Sequence, residues 1–218
     1  VIQSSFDDVG DLMSVSFCRS PRGVHLFFLG RGPDAKQDTR VYQMISADEG
    51  KTWGKPIRVS SRAGYHVVNN ARVVRTKSGR IIAPAAHLNG TWETEHDRMG
   101  VYCLLSDDDC QTWKVSNDLS LTMDGKPSPL MEPGVAACAD GSLYMTIRTK
   151  EGVLYEARSH DDGTTWTDLG PTKLPSPAAP STVMRDPTSD DLWMFWINRP
   201  VAPGGGAWKQ RTPLSLVI

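Results

Sequence analysis

An eight-residue phrase occurs three times in this chain: "SADEGKTW" at 46–53, "SDDDCQTW" at 106–113 and "SHDDGTTW" at 159–166. Recurrence at intervals of 60 and 53 residues constrains the fold more than any single element, because a repeating period means one supersecondary unit stacked on copies of itself. The shared pattern is S-x-D-x-G-x-T-W, met by Ser46, Asp48, Gly50, Thr52 and Trp53 and again by Ser159, Asp161, Gly163, Thr165 and Trp166. Its chemistry is that of a turn. The aspartate accepts backbone N–H groups of its own loop, the glycine supplies a positive φ, and the tryptophan anchors against a neighbouring sheet. The middle copy keeps Ser106, Asp108, Thr112 and Trp113 but has Cys110 in the glycine slot, so that turn is expected to be strained or to open differently.

The stretches between the phrases repeat as well. "SVSFCRSPRGVHLFFLG", "ARVVRTKSGRIIAPAAH", "GVAACADGSLYMTIRT" and "STVMRDPTSDDLWMFWIN" each read as a strand, a turn of Gly, Pro, Ser or Asp, and a second strand. A third strand ("RVYQMIS", "GVYCLLS", "LYEARS") enters the phrase and a fourth leaves it. Four antiparallel strands per unit, with no helical periodicity, define an all-β fold of β-propeller blades, at about 12–60, 61–120, 121–175 and 176–218. A fourth phrase is due at 219, so flanking blades are expected outside the chain; an open propeller would expose the edges of its first and last sheets.

Composition removes several function classes. With 24 basic against 25 acidic residues the net charge is −1, so bulk charge exerts no pull toward nucleic acid, and no such partner is expected. No stretch approaches the roughly 18 apolar residues of a membrane span. The N-terminal "VIQSSFDDVG" lacks a basic segment followed by an apolar run. Cys18, Cys103, Cys110 and Cys138 have no C-x-x-C spacing, and buried free thiols are expected. The histidines show no zinc-ligand spacing; neither a metal nor a cofactor is expected.

Candidate site residues follow from the blade register, since equivalent positions of successive blades converge on the propeller axis. Glu132 precedes the hairpin glycine Gly141 by nine residues and Asn70 precedes Gly79 by nine, which puts both at the start of an innermost strand. Past the turn, the second strand ends at Arg31, His87 and Arg148, with Asn198 at the similar place in the fourth blade. Eight residues before the phrases stand Asp38, Arg98 and Glu151, and eight before the phrase due at 219 stands Arg211. Such groups are expected around one mouth, where a binding site forms from converging polar side chains. Arg31, Asp38, Tyr65, Asn70, Arg72, His87 and Arg98 are the candidate substrate-binding residues. Trp92, in the long connection 87–100, is a candidate to stack on a sugar face, and the glycine-rich stretch 200–209 reads as a loop before Arg211.

The repeated phrase is similar to the Asp-box of the sialidase (neuraminidase) superfamily. "EPGVAACADGSLYMTIR" with Arg211 resembles that family's glutamate, the arginine closing the same hairpin, and a further arginine before the next Asp-box. "NNARVVRTKSGRIIAPAAH" and "SPAAPSTVMRDP" resemble inner hairpins of bacterial sialidase-like proteins, so the resemblance spans most of 12–218. Ala71 departs from it, standing where relatives commonly carry an acidic residue. The resemblance implies a six-bladed propeller of sialidase type, about four blades of which lie in this chain. It further implies an exo-α-sialidase, a retaining glycoside hydrolase acting on sialylated glycans, with Glu132, Arg148 and Arg211 as catalytic residues. Arg148 and Arg211 would belong to an arginine triad that grips the sugar carboxylate through paired hydrogen bonds. Glu132 would be the base that activates a tyrosine nucleophile, sialidases being exceptions to the two-carboxylate pattern. By the same resemblance the tyrosine, the acid/base aspartate and the first arginine are expected outside this chain, with Asp38 the one candidate for that acid within it. The residues also fit a non-catalytic Asp-box propeller that binds acidic sugars or a protein partner, with Glu132 in a structural ion pair. A secreted or periplasmic location is expected.

Overall fold

The structure, a computed structural model, describes residues 6, 9–32, 38–204 and 211–218. The turn-bounded runs form four antiparallel blades. The first holds β1 (Asp11–Ser20), β2 (Gly23–Arg31), β3 (Thr39–Ser46) and the short β4 (Ile57–Arg58). The second holds β5 (Tyr65–Val67), β6 (Val74–Arg75), β7 (Ile81–Leu88), β8 (Gly100–Ser106) and β9 (Lys114–Val115). A one-turn helix, α1 (Trp92–Glu95), and a 3₁₀ turn (His96–Arg98) interrupt β7 and β8, the only helical elements among the described residues. A hairpin of β10 (Leu121–Met123) and β11 (Lys126–Ser128) leads into the third blade, β12 (Met131–Ala137), β13 (Leu143–Arg148), β14 (Val153–Ser159) and β15 (Thr167–Pro175). The fourth holds β16 (Thr182–Arg185), β17 (Leu192–Ile197) and β18 (Leu214–Val217). Blades one and two are joined by a parallel bridge from Thr39 to Tyr65.

Period-two alternation sends neighbouring residues of one strand into different cores. Ile81, Ala83 and Ala85 of β7 and Tyr102 and Leu104 of β8 pack with Phe27, Leu29 and Val41 of the first blade. Their neighbours Ile82, Ala86, Leu88, Val101, Cys103 and Leu105 pack with Val135, Leu143, Met145 and Ile147 of the third. The second blade is thus apolar on both faces, as a sheet sandwiched between two others requires. Ala136, Tyr144 and Leu154 build a third core with Val183, Met194 and Trp196 of the fourth blade. These are the stacked blades of a sialidase-type β-propeller. The cysteines are free; Cys18, Cys103 and Cys110 are buried and Cys138 is half-buried.

The repeated phrase folds as a self-capped turn in all three copies. In the first, Ser46 donates to Asp48 at 2.7 Å, and Asp48 accepts from the Thr52 N–H at 2.8 Å and from the Thr52 hydroxyl at 2.6 Å. The Thr52 hydroxyl, its N–H and Ser46 hold the Asp48 carboxyl down at about 2, so the turn keeps its acceptor across the working pH range. Each tryptophan after the first reaches back to the preceding blade. Trp113 packs edge-on to Phe27 with ring centroids 5.8 Å apart, and Trp166, 2% exposed, is buried in the core between blades two and three.

Cys110 carries the backbone strain expected of its turn, but the turn does not open. It takes the left-handed conformation of the glycines, with φ 66° against 84° at Gly50 and 85° at Gly163, and its N–H still donates to Ser106 at 2.9 Å. Burying the thiol beside Phe27 and Leu104 offsets the backbone cost, which is about 1–2 kcal/mol for an L-residue in this region. Gly163 has no such freedom. A Cβ there would lie 2.8 Å from Ile82 Cδ1 and 3.3 Å from Leu143 Cδ1. Gly163→Ala is therefore expected to destabilise by about 2–4 kcal/mol, overpacking adding to the left-handed backbone term, and Cys110→Gly by less than about 1 kcal/mol. Urea unfolding of the two variants beside the parent checks the contrast.

Candidate functional site

The site lies where innermost strands of three blades meet near the axis. In β12 the pairing with β13 shifts between Met131 and Gly134, and Glu132 within this bulge has φ 47°. In β1 the pairing with β2 shifts between Met13 and Ser16, and Ser14 has φ 58°. A bulge re-aims the side chain that sits in it. Here both bulged residues line one cavity of about 190 Å³, together with Tyr65, Asn69, Trp92 and Arg148 and an apolar wall that includes Met13, Leu29, Met99 and Met131.

Within this cavity Arg148 Nη1 donates to Glu132 Oε2 at 2.8 Å, with 17% and 20% of the two side chains exposed. The register dictates the pair. Met131 faces Arg148 across the hairpin, so the bulged residue next to Met131 comes within reach of the guanidinium. Arg148 Nε is buried with no hydrogen-bond partner. The Tyr65 and Trp92 rings stand 5.6 Å apart at the rim. The arrangement offers a carboxylate and a guanidinium side by side, aromatic edges, and apolar surface, which suits a small anionic ligand with an apolar portion.

The candidates named from the sequence separate into two groups. Glu132, Arg148 and Tyr65 share the cavity. Asn70 is exposed and its neighbour Asn69 lines the cavity instead, the residue that follows the pair, Ala71, being left-handed at φ 55°. Arg31 reaches Asp11 at 3.4 Å, and Asp38 accepts from Arg40 Nε at 2.7 Å. Arg98 is exposed on the 3₁₀ turn, and Arg211 is exposed ahead of β18. In the glycine-rich stretch 200–209, residues 205–209 lie outside the described residues. Ser14 was legible after all: it precedes Gly23 by nine residues, as Glu132 precedes Gly141.

Arg72 is 5% exposed and is not among the residues that line the cavity. Its Nη1 donates to Thr182 Oγ1 at 3.0 Å, its Nη2 to the Ser181 carbonyl, and its backbone N–H to Ser16 Oγ at 3.0 Å. The third blade meets it at Gly134, where a Cβ would come 3.5 Å from Arg72 Nη1. The Arg72 side chain therefore ties the second blade to the fourth, and its backbone N–H ties it to the first.

His87 turns away from the cavity, its Nε2 2.8 Å from the Ala63 carbonyl and its ring 4.6 Å from that of His66. His66 is fully buried and its Nδ1–H donates to the Thr39 carbonyl at 2.9 Å. Burial, with the His87 ring beside it, pushes its pKa down from 6.5 to about 4. Unfolded chains bind this proton below pH 6.5 and the folded chain only below about 4, so the His66 contribution to stability is intact above pH 6.5 and declines between the two values. The expected loss across that window is about 3 kcal/mol. Denaturant melts at pH 7.5 and 4.5 should show it, and His66→Asn, which keeps an N–H near the Nδ1 position, should lose that part of the pH dependence.

Among the described residues, no group of three or more His, Cys, Asp or Glu is placed to hold a metal ion, and no helix is long and apolar enough to cross a membrane. The fold and the axial cavity define a sialidase-like BNR-repeat propeller. The model of the BNR repeat-like domain matches residues 14–218, and the chain belongs to that family. A protein of unknown function from Dyadobacter fermentans superposes with a TM-score of 0.73 at 19% identity, over 90% of this chain and 59% of that one. Trypanosoma rangeli sialidase, solved as a covalent intermediate with 2,3-difluorosialic acid, superposes with a TM-score of 0.62 at 15% identity, over 85% of this chain and 33% of its own. The intramolecular trans-sialidase of Ruminococcus gnavus gives 0.56 at 18% identity, over 86% and 42%. The chain thus spans between a third and three fifths of these relatives. No curated protein matches it.

Proposed function

We propose that the chain carries the base-and-arginine half of a sialidase-type site, in a protein that releases terminal sialic acid or a related nonulosonic acid from glycans with retention. The observation that carries this reading is the 2.8 Å Glu132–Arg148 pair in the axial cavity, presented by a bulge at the start of an innermost strand. A sugar acid with its carboxylate on the anomeric carbon matches a guanidinium that can re-pair from Glu132 to the ligand, its Nε still unused. Glu132, once released, is a base for a tyrosine hydroxyl, which near its ordinary pKa of about 10 is a poor nucleophile unaided. The family resemblance gives Arg211, which does not line the cavity in this structure, as the second guanidinium of the site. A secreted or periplasmic location fits such substrates.

One observation favours the other reading, a propeller that binds acidic sugars without cleaving them: Glu132 and Arg148 satisfy each other in the free protein. Hydrolysis of the 4-methylumbelliferyl α-sialoside by the intact protein separates the two. Turnover is expected. A folded, intact protein that is silent on α-sialosides of several nonulosonic acids, yet binds sialyllactose in titration calorimetry, would leave the binding reading in its place.

A further inference from the structure

The excursion between β7 and β8 has little of its own to hold it. Helix α1 is four residues long, has no side-chain cap and buries none of its residues, and a helix of one turn is not stable by itself. It is tethered from the third blade. Lys150, two residues beyond Arg148, donates from Nζ to His96 Nε2 at 2.6 Å and to Asp97 Oδ1 at 2.7 Å. On the other side of the ring, His96 Nδ1 donates to the Trp92 carbonyl at 3.2 Å. These two contacts agree on one tautomer, with the proton on Nδ1 and Nε2 free to accept from an ammonium.

The tether ends at the cavity. The Trp92 ring lies 5.5 Å from His96 and 5.6 Å from Tyr65, is 39% exposed, and lines the same space as Glu132 and Arg148. At its other end the relay meets the stretch 201–204. The Lys150 carbonyl accepts from the Gly204 N–H at 2.9 Å, and the chain passes so close at Gly152, φ 78°, that a Cβ there would sit 2.6 Å from the Val201 carbonyl oxygen.

We propose that Lys150 is a positioning residue: through His96 it sets where the Trp92 indole stands over the Glu132–Arg148 cavity, and so how tightly the site closes on its ligand. The consequence for turnover rests on the sialidase-type reading above; the relay itself does not. Lys150→Met keeps the side-chain stem and removes the donor, while Lys150→Arg keeps donors within reach of His96 and Asp97.

The test has two readouts. Acrylamide quenching is measured in the parent, Lys150→Met and Lys150→Arg, each with and without Trp92→Phe, so that the other six of the seven tryptophans cancel by difference. The Trp92 component should be quenched at least about twofold more strongly in Lys150→Met, with Lys150→Arg near the parent. In the same proteins KM for the α-sialoside should rise about tenfold in Lys150→Met with kcat within about twofold, the size expected for one charge-assisted hydrogen bond. Unchanged Trp92 quenching in Lys150→Met overturns the proposal, as does stronger quenching with an unchanged KM in an active enzyme. If the parent turns over no sialoside, the hydrolase reading has failed by itself, and the quenching comparison still decides whether Lys150 positions Trp92.

Discussion

Glu132→Gln is expected to lower kcat/KM toward α-sialosides by about 10²- to 10⁴-fold in the intact protein, the range for loss of a positioned general base. The substitution is nearly isosteric and still hydrogen-bonds Arg148, so the hairpin register from Met131 to Arg148 should persist. What disappears is the ability to take a proton. A purely structural role predicts something different. An ion pair with about a fifth of each side chain exposed contributes little once the amide replaces the carboxylate, and rates would then stay within about threefold of the parent. Steady-state kinetics with circular dichroism on the same samples tells the two apart. Arg148→Ala should act mainly on KM, because its proposed partner, the ligand carboxylate, is present in the ground state as well as the transition state.

Arg72→Met should produce the largest loss of stability, about 3–5 kcal/mol, which for a chain of this length is a fall in Tm of about 6–20 °C. The reason is the set of groups left behind. Ser181 presents its carbonyl and Thr182 its hydroxyl to the guanidinium in a buried position, and methionine satisfies neither. Desolvation already pulls the Arg72 pKa below its ordinary value, and the nearby Glu132 charge opposes that pull. Removing Arg72 therefore also removes a cation that interacts with Glu132. Arg72→Lys should recover only part of the loss, since one ammonium cannot reproduce two guanidinium bonds fixed in a plane. Scanning calorimetry of the three proteins is the measurement. A Tm within 2 °C of the parent for Arg72→Met would show that the blades hold together without this tie.

Much of the fold can be read along the chain because its determinants are local. Ser46, Asp48 and Thr52 bond within one turn, and the same contacts return at Ser106, Asp108 and Thr112. Alternation along β7 and β8 sets two faces, whichever blade each comes to meet. Glu132 and Arg148 are legible for the same reason, lying sixteen residues apart across a single hairpin. The strain at Cys110 was legible but the closure of its turn was not, because a turn motif reports backbone preference and is blind to the core beneath it, where a thiol has room and a methyl on Gly163 does not.

The repeat, the strands, their two-faced patterning and one acid–base pair were therefore determined by the sequence itself, since each depends on residues within a turn or a hairpin of one another. Tertiary structure alone decided which polar groups reach the axis. Arg72 meets Thr182 across 110 residues, and Lys150 meets His96 across 54. Whether Asn69 or Asn70 faces the cavity turns on one left-handed residue, Ala71, whose N–H is held by Val15 of the neighbouring blade at 3.1 Å. Local periodicity fixes the face of a strand, but a bulge or a buried guanidinium is selected by partners that only the packed blades bring together.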